Sequence, residues 1–262
     1  IKQSENYTII NPELSDFSKL FRQQTFDICL NASGAANVQI SFSQPQVDYT
    51  LNTTNVYTIL EAIRMYNPTC KFINISSAAV YGNPQYLPID ENHPVSPLSP
   101  YGWHKYYSEL ICKEFYEIFD LKTLNIRVFS AYGPGLRKQL FWDLYHKSLI
   151  SDTIELFGTG NESRDFIFID DLLFAIDRLI ASANFQGQVI NVASGIETTV
   201  REAVETFLSL LGFQGKLIFT GKEKIGDPVR WHANIDKLRN MGFTHHTTLE
   251  TGLKKYISWI RE

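Results

Sequence analysis

Four apolar runs, FDICL (26–30), CKFINISS (70–77), TLNIRVFS (123–130) and QVINVAS (188–194), constrain this chain more than any other feature. Each is short, rich in β-branched residues, and too apolar to be half-exposed. Between the first two, Val47, Leu51, Val56, Ile59, Leu60 and Ile63 recur at helical spacing. Between the second and third, Leu110, Ile111, Phe115, Ile118 and Phe119 do the same on a helix predicted from Tyr101 to about Leu121. Strands that alternate with helices and are apolar throughout belong in a parallel sheet covered on both faces.

Past Gly135 the pattern loosens. QLFWDLYHKSLI, DDLLFAIDRLIASA, TTVREAVETFLSLLG and LETGLKKYISWIRE read as helices, and TIELFGTG as a short strand and turn. Thr198 or Thr199 is the candidate N-cap of the third of these helices, and Gly212 its terminator. The expected organisation is a sheet domain over residues 1–130 and a smaller mixed lobe over 131–262, with some segments of the second returning to the first. The chain has 262 residues, a formal charge of -4 and no Lys/Arg block, which argues against a nucleic-acid partner. No apolar run approaches the ~20 residues that span a bilayer, and IKQSENYTII lacks the pattern of a secretory leader. Cys29, Cys70 and Cys112 show no ligand spacing, so burial in a reducing cytoplasm is expected, and no metal site.

The chemistry is carried by SPYGWHKYYSE (99–109). Tyr101 and Lys105 are four apart, on one face of a helix just past a proline. A phenol has a reference pKa near 10, and a neighbouring ammonium is expected to lower it. With 13 tyrosines in the chain, the pair alone could equally be an ordinary amphipathic helix start. INISSAAVYG adds Ser76 and Ser77 at the end of a buried strand, where active groups of open α/β sheets collect. A serine there can share a proton with a tyrosine, or merely cap the strand exit.

Taken in order, SSAAVYG, SPYGWHK with Tyr101 placed 24 residues after Ser77, RVFSAYGPG and GTGNESRDFIFIDDLLFA resemble the extended short-chain dehydrogenase/reductases. Within that family the likeness is to the NAD-dependent epimerase/dehydratases of nucleotide sugars. The resemblance implies a Rossmann-like, doubly wound α/β sheet with a smaller mixed α/β substrate lobe, NAD as cofactor and a nucleotide sugar such as a UDP-sugar as substrate. It implies Tyr101 as acid/base, Lys105 as its electrostatic partner and a ribose ligand, and Ser77 as the group orienting the sugar 4-hydroxyl. Asn31, Ala32, Ser33 and Gly34 stand in the cofactor loop, and Asn52 matches a family asparagine near the site, the alternative being a polar helix face. In the second lobe it implies Ser130, Phe157, Arg164, Lys224, Asp227 and Arg230 as nucleotide-sugar contacts. The alternatives are a surface ion pair for Arg164 and ordinary core for Phe157. The helices 46–66 and 101–121 match those that pair family members into homodimers.

Three departures shape the functional reading. The opening strand, Gly-rich turn and helix of a dinucleotide fold have no counterpart before Gly34, so a preceding βαβ unit of about 40–60 residues is expected. Without it, negligible NAD affinity and no turnover are expected. Ser130 replaces an asparagine that many members carry. Ala78 and Ala79 follow Ser77 where relatives that eliminate water or decarboxylate carry an acid, and alanine transfers no proton. The expectation is therefore a nucleotide-sugar 4-epimerase working by transient C4 oxidation. The alternatives are an NAD(P)H-dependent 4-keto reductase and a non-catalytic nucleotide-sugar-binding relative.

Overall fold

The computed structural model describes residues 16–222 and 226–262. Its strands are β1 (Ile28–Asn31), β2 (Lys71–Ser77), β3 (Thr123–Val128), β4 (Ser130–Tyr132), β5 (Thr153–Leu156), β6 (Ser163–Phe168), β7 (Gln186–Val192), β8 (Glu197–Thr199) and β9 (Lys216–Phe219). The helices are α1 (Phe17–Gln23), α2 (Val38–Ser43), α3 (Pro45–Tyr49), α4 (Asn55–Tyr66), α5 (Pro100–Phe119), α6 (Gln139–Ile150), α7 (Ile169–Ser182), α8 (Val200–Leu211), α9 (Asp236–Asn240) and α10 (Leu249–Arg261).

The four apolar runs of the sequence become one parallel sheet in the order β1-β2-β3-β7. Successive side chains of a strand point to opposite faces, and β2 shows the consequence. Phe72 enters a core with Phe21, Leu60, Ile63 and Phe115 from α1, α4 and α5. Ile73, its neighbour, enters a core with Leu172, Ile176 and Leu179 of α7. Both faces are therefore dry, which is why these strands carry no polar alternation.

A third core, built on Phe141, Leu144, Val204, Phe207, Leu253 and Tyr256, joins α6, α8 and α10. Beside it lie the small sheets β4-β6-β8 and β5-β9. Thr199 caps α8 by accepting from the Glu202 N–H, and Gly212 ends it in the left-handed conformation, as the sequence predicts. The strand β7 returns the chain to the first sheet after α7. The proline-rich loop after β2 is tied to residues 229–234 of the second lobe. Ile89 donates its N–H to the His232 carbonyl, at 2.7 Å, and accepts from Asn234 N, at 2.8 Å. Among the described residues no helix is long and apolar enough to cross a membrane.

The helix predicted over residues 46–66 is not continuous. Between α3 and α4 it widens into a π turn over Thr50–Thr54, closed by the Asn55 N–H reaching five residues back to the Thr50 carbonyl. Such bulges rotate one side chain out of the helical repeat and recur at functional sites. Here the displaced turn contains Asn52.

Candidate active site

Ser77 ends β2, at the carboxyl edge of the parallel sheet, and its hydroxyl accepts from the Ala79 N–H at 3.1 Å. The short 3-10 turn Ala78–Val80 follows, and the start of α5 is laid directly on it. Three local features fix that start. Ser99 caps the helix by accepting from Gly102 N at 3.2 Å, and Pro100 occupies its first turn. Gly102 then lies against the turn itself. A Cβ there would stand 2.7 Å from the Ala79 carbonyl oxygen and 2.9 Å from Pro97 Cβ. This close approach brings the Tyr101 phenol toward Ser77, whose hydroxyl acts to lower the phenol's pKa.

The sequence reading expects Lys105 to lower the Tyr101 pKa, and the structure reverses this. Burial pushes the phenol up to about 12, against a smaller downward pull from the Ser77 hydroxyl, while the negative charge of Asp48 raises it further. Lys105 Nζ lies 5.9 Å from the centre of the Tyr101 ring and donates to the Ile75 carbonyl at 2.8 Å. Its own pKa is pushed down to about 8, burial outweighing the opposing pull of Asp48 and Glu109. Desolvation disfavours the charged form of each and is the largest cause of both shifts.

Lys105 also lies where three segments meet. A Cβ on Gly34 would collide with Asn52 Oδ1 and come within 2.7 Å of Lys105 Nζ, so the loop after β1, the π turn and α5 converge at this point. Asn52 is 1% exposed, and neither its Oδ1 nor its Nδ2 has a partner. A buried amide with four unused bonding positions is costly unless something fills them. An ammonium with one of three donors used and a bare glycine backbone complete a cradle suited to a hydroxylated group such as the ribose of a dinucleotide. Asn31 and Ser33 stiffen the loop through a 2.7 Å bond from Ser33 Oγ to Asn31 Oδ1. Asn52 is therefore not a polar helix-face residue.

In the second lobe the expected contacts divide. Arg164, on β6, is mostly buried and not part of a surface ion pair. Its Nη1 donates to the Ser163 carbonyl at 2.8 Å, its Nη2 is 3.8 Å from Asp227 Oδ2, and its guanidinium lies 5.4 Å from the Trp231 ring centre. Arg230 is instead held bidentately by Glu197, both bonds at 2.9 Å. Phe157 is 60% exposed, so it is not core. Ser130 opens β4, paired with Phe166 of β6. Lys224 lies outside the described residues.

Several supporting residues were not read from the sequence. Glu109 binds Arg127 through two bonds, at 2.9 and 2.6 Å, and accepts from Ser76 at 2.5 Å, a buried link between α5, β3 and β2 behind the site. Arg127 lies over the ring of Tyr81, whose hydroxyl donates to Asn191 Oδ1 at 2.7 Å. Asp165, next to Arg164 but on the opposite face of β6, accepts from Ser194 N, Ser194 Oγ, Gly195 N and Ala233 N. Tyr81 and Asp165 belong to motifs the sequence displays, AAVYG and SRDFIF. Their spacing gives no sign that they scaffold the site.

A parallel sheet with Ser77, Tyr101 and Lys105 at its carboxyl edge defines a short-chain dehydrogenase/reductase architecture. A family model described as GDP-mannose 4,6 dehydratase matches residues 1–254, and the chain belongs to that family, one of NAD-dependent epimerase/dehydratases. It is 29% identical over 250 residues to a putative UDP-glucose 4-epimerase of Methanocaldococcus jannaschii, covering 94% of this chain and 81% of the relative. It is 27% identical over 270 residues to a UDP-glucuronate 4-epimerase of Thermodesulfobacterium geofontis, covering 100% and 82%. The crystal structure of a UDP-glucuronic acid 4-epimerase from Bacillus cereus, with UDP-glucuronic acid and NAD, superposes with a TM-score of 0.88 at 26% identity, covering 96% of this chain and 80% of that one.

Proposed function

We propose that the protein is an NAD-dependent nucleotide-sugar 4-epimerase. The observation that carries the reading is the meeting of Ser77, at the carboxyl end of β2, with the first turn of α5 that bears Tyr101 and Lys105, next to the cradle of Gly34, Asn52 and Lys105. NAD, when bound, supplies a hydride acceptor and donor for the sugar C4. The protein's part is to hold and move a proton at the C4 oxygen. Ser77 orients the hydroxyl. Tyr101, acting as the phenolate, the minor form that its burial disfavours, accepts its proton as C4 becomes a ketone and returns it after the keto sugar has turned over in the cleft. Such positioned proton transfer is worth ~10²–10⁴ in rate.

Two features support epimerisation over the dehydration that the family's description mentions. Ala78 is fully buried and Ala79 sits in the same turn, and neither can take the proton that elimination of water requires. The relatives described above are 4-epimerases. In this reading Arg164 and Asp227 face the diphosphate and a sugar or ribose hydroxyl, with Phe157 against the base. The test is incubation with UDP-glucose, UDP-glucuronate and UDP-N-acetylglucosamine, with the products resolved by NMR. Interconversion of the C4 epimers without net consumption of cofactor is expected. Stoichiometric oxidation of NADPH by a 4-keto sugar with no epimerisation would overturn it.

A homodimer fits the same reading. α4 and α5 present Tyr57, Met65, Leu110, Ile118 and Phe119 to the outside, all more than 40% exposed. A second copy laid on this face would bury it in a four-helix bundle. Light scattering at micromolar concentration should return twice the chain mass, and a monomer would remove the dimer from the proposal.

A further inference from the structure

Behind Lys105 lies a buried pair that the proton-transfer scheme does not use. Asp48 of α3 has a side chain with no exposure, and its Oδ2 is 2.6 Å from His104 Nδ1. The other carboxylate oxygen, Oδ1, has no partner. His104 immediately precedes Lys105 on α5. Its backbone carbonyl accepts from Thr53 Oγ1 at 3.0 Å, and its ring is held edge-on by Tyr49, with centres 5.2 Å apart. Asp48 and Asn52 stand one turn apart, and the π turn begins between them.

The charges around this seam can be counted. From α5 come Tyr101, His104, Lys105, Tyr107 and Glu109; from α3, Asp48 and Tyr49. α2, VQISFS, brings no titratable side chain, and β2 brings only the Ile75 carbonyl and the hydroxyls of Ser76 and Ser77. Two carboxylates act on Lys105, those of Asp48 and Glu109. Glu109 already spends both oxygens on Arg127 and Ser76, so its charge is balanced by a guanidinium. Among the described residues no guanidinium or ammonium forms an ion pair with Asp48; an imidazole holds one oxygen, and Lys105, the next residue along α5, is the buried cation on which its charge acts.

We propose that Asp48 is a positioning residue for the catalytic centre: held in place by His104, its carboxylate is the counter-charge that keeps buried Lys105 an ammonium. The same negative charge opposes ionisation of Tyr101, so one group biases both members of the pair toward their protonated forms. The proposal rests on the reading of Tyr101 and Lys105 as the proton-handling pair. Its test needs neither sugar nor dinucleotide, so the two can fail separately.

Lysines labelled with carbon-13 at Cε report the Lys105 charge by NMR, with the signal assigned by its loss in Lys105→Met. In the unsubstituted protein its midpoint is expected near 8. In Asp48→Asn it should fall by about one pH unit or more; a midpoint that stays put overturns the proposal. A double-mutant cycle separates charge from packing. Asp48→Asn should lower the melting temperature at pH 7 in the unsubstituted chain and lower it much less in the Lys105→Met background. An equal loss in both backgrounds would assign Asp48 a purely structural role and overturn the proposal. Should Asp48→Asn alone fail to fold, a folded Asp48→Asn/Lys105→Met protein supports the counter-charge and an unfolded one refutes it.

Discussion

Lys105 donates to the Ile75 carbonyl at 2.8 Å, while Tyr101, one helical turn earlier, is turned toward Ser77, whose hydroxyl acts to lower its pKa. The two residues share a helix face but meet different residues at the carboxyl end of β2. The lysine is thus anchored to the sheet and faces the Asn52 cradle, and the tyrosine faces the serine.

That division predicts a clean loss in Tyr101→Phe. The phenyl ring keeps its packing but cannot carry a proton, so turnover should fall at least ~10²-fold with nucleotide-sugar affinity nearly unchanged. Single-turnover rates and equilibrium binding measure the two parts. A near-normal rate would remove Tyr101 from the chemistry.

Holding Lys105 charged costs stability. Its folded pKa of about 8 lies below the ordinary lysine value of 10.5, so between those pH values the unfolded chain binds more protons, and stability rises as pH rises. Below pH 8 the cost is fully present, up to about 3 kcal/mol. Lys105→Met should therefore melt higher than the unsubstituted protein at pH 7, with the gap closing from pH 8 toward 10.5. A gap independent of pH would show that packing, not charge, sets it.

The Asn52 side chain makes no hydrogen bond among the described residues, and its removal should show it. Asn52→Ala should leave the melting temperature of the ligand-free protein unchanged or slightly higher, because no satisfied bond is lost. Affinity for NAD should drop about tenfold or more, the worth of one to two hydrogen bonds. A melting temperature reduced as much as by a core deletion would contradict the cradle.

Gly102 has a steric role that alanine cannot fill. Gly102→Ala places a methyl against the Ala79 carbonyl and Pro97, which must shift the first turn of α5. A stability loss of about 1–3 kcal/mol is expected. Turnover should fall by more than the loss of folded protein accounts for, since Tyr101 moves with that turn. Denaturant unfolding and activity per folded molecule test the two claims.

Much of this was legible in the residues. The four apolar runs became the four strands of one parallel sheet, and the caps at Thr199 and Gly212 formed where their types predict. The candidate catalytic set could be named because Ser77 and Tyr101 sit in motifs whose order along the chain is distinctive. Other features left no local trace. The π turn arises within a sequence of ordinary helical periodicity, and only packing against α5 turns Asn52 inward. SRDFIF shows an arginine beside an aspartate, yet the alternation of β6 sends Arg164 toward Asp227 and Trp231 and Asp165 toward four backbone and side-chain donors.

The sequence by itself determined the strand-helix alternation and the positions of the helix caps, because each depends on neighbours a few residues apart, and the order of its motifs singled out the candidates for proton transfer. The tertiary structure decided which way each charge leans. Tyr101 is raised rather than lowered, Lys105 answers to Asp48 and Ile75, and Arg230 is held by Glu197. Burial and the meeting of segments far apart in the chain set those outcomes, and neither can be counted from spacing along it.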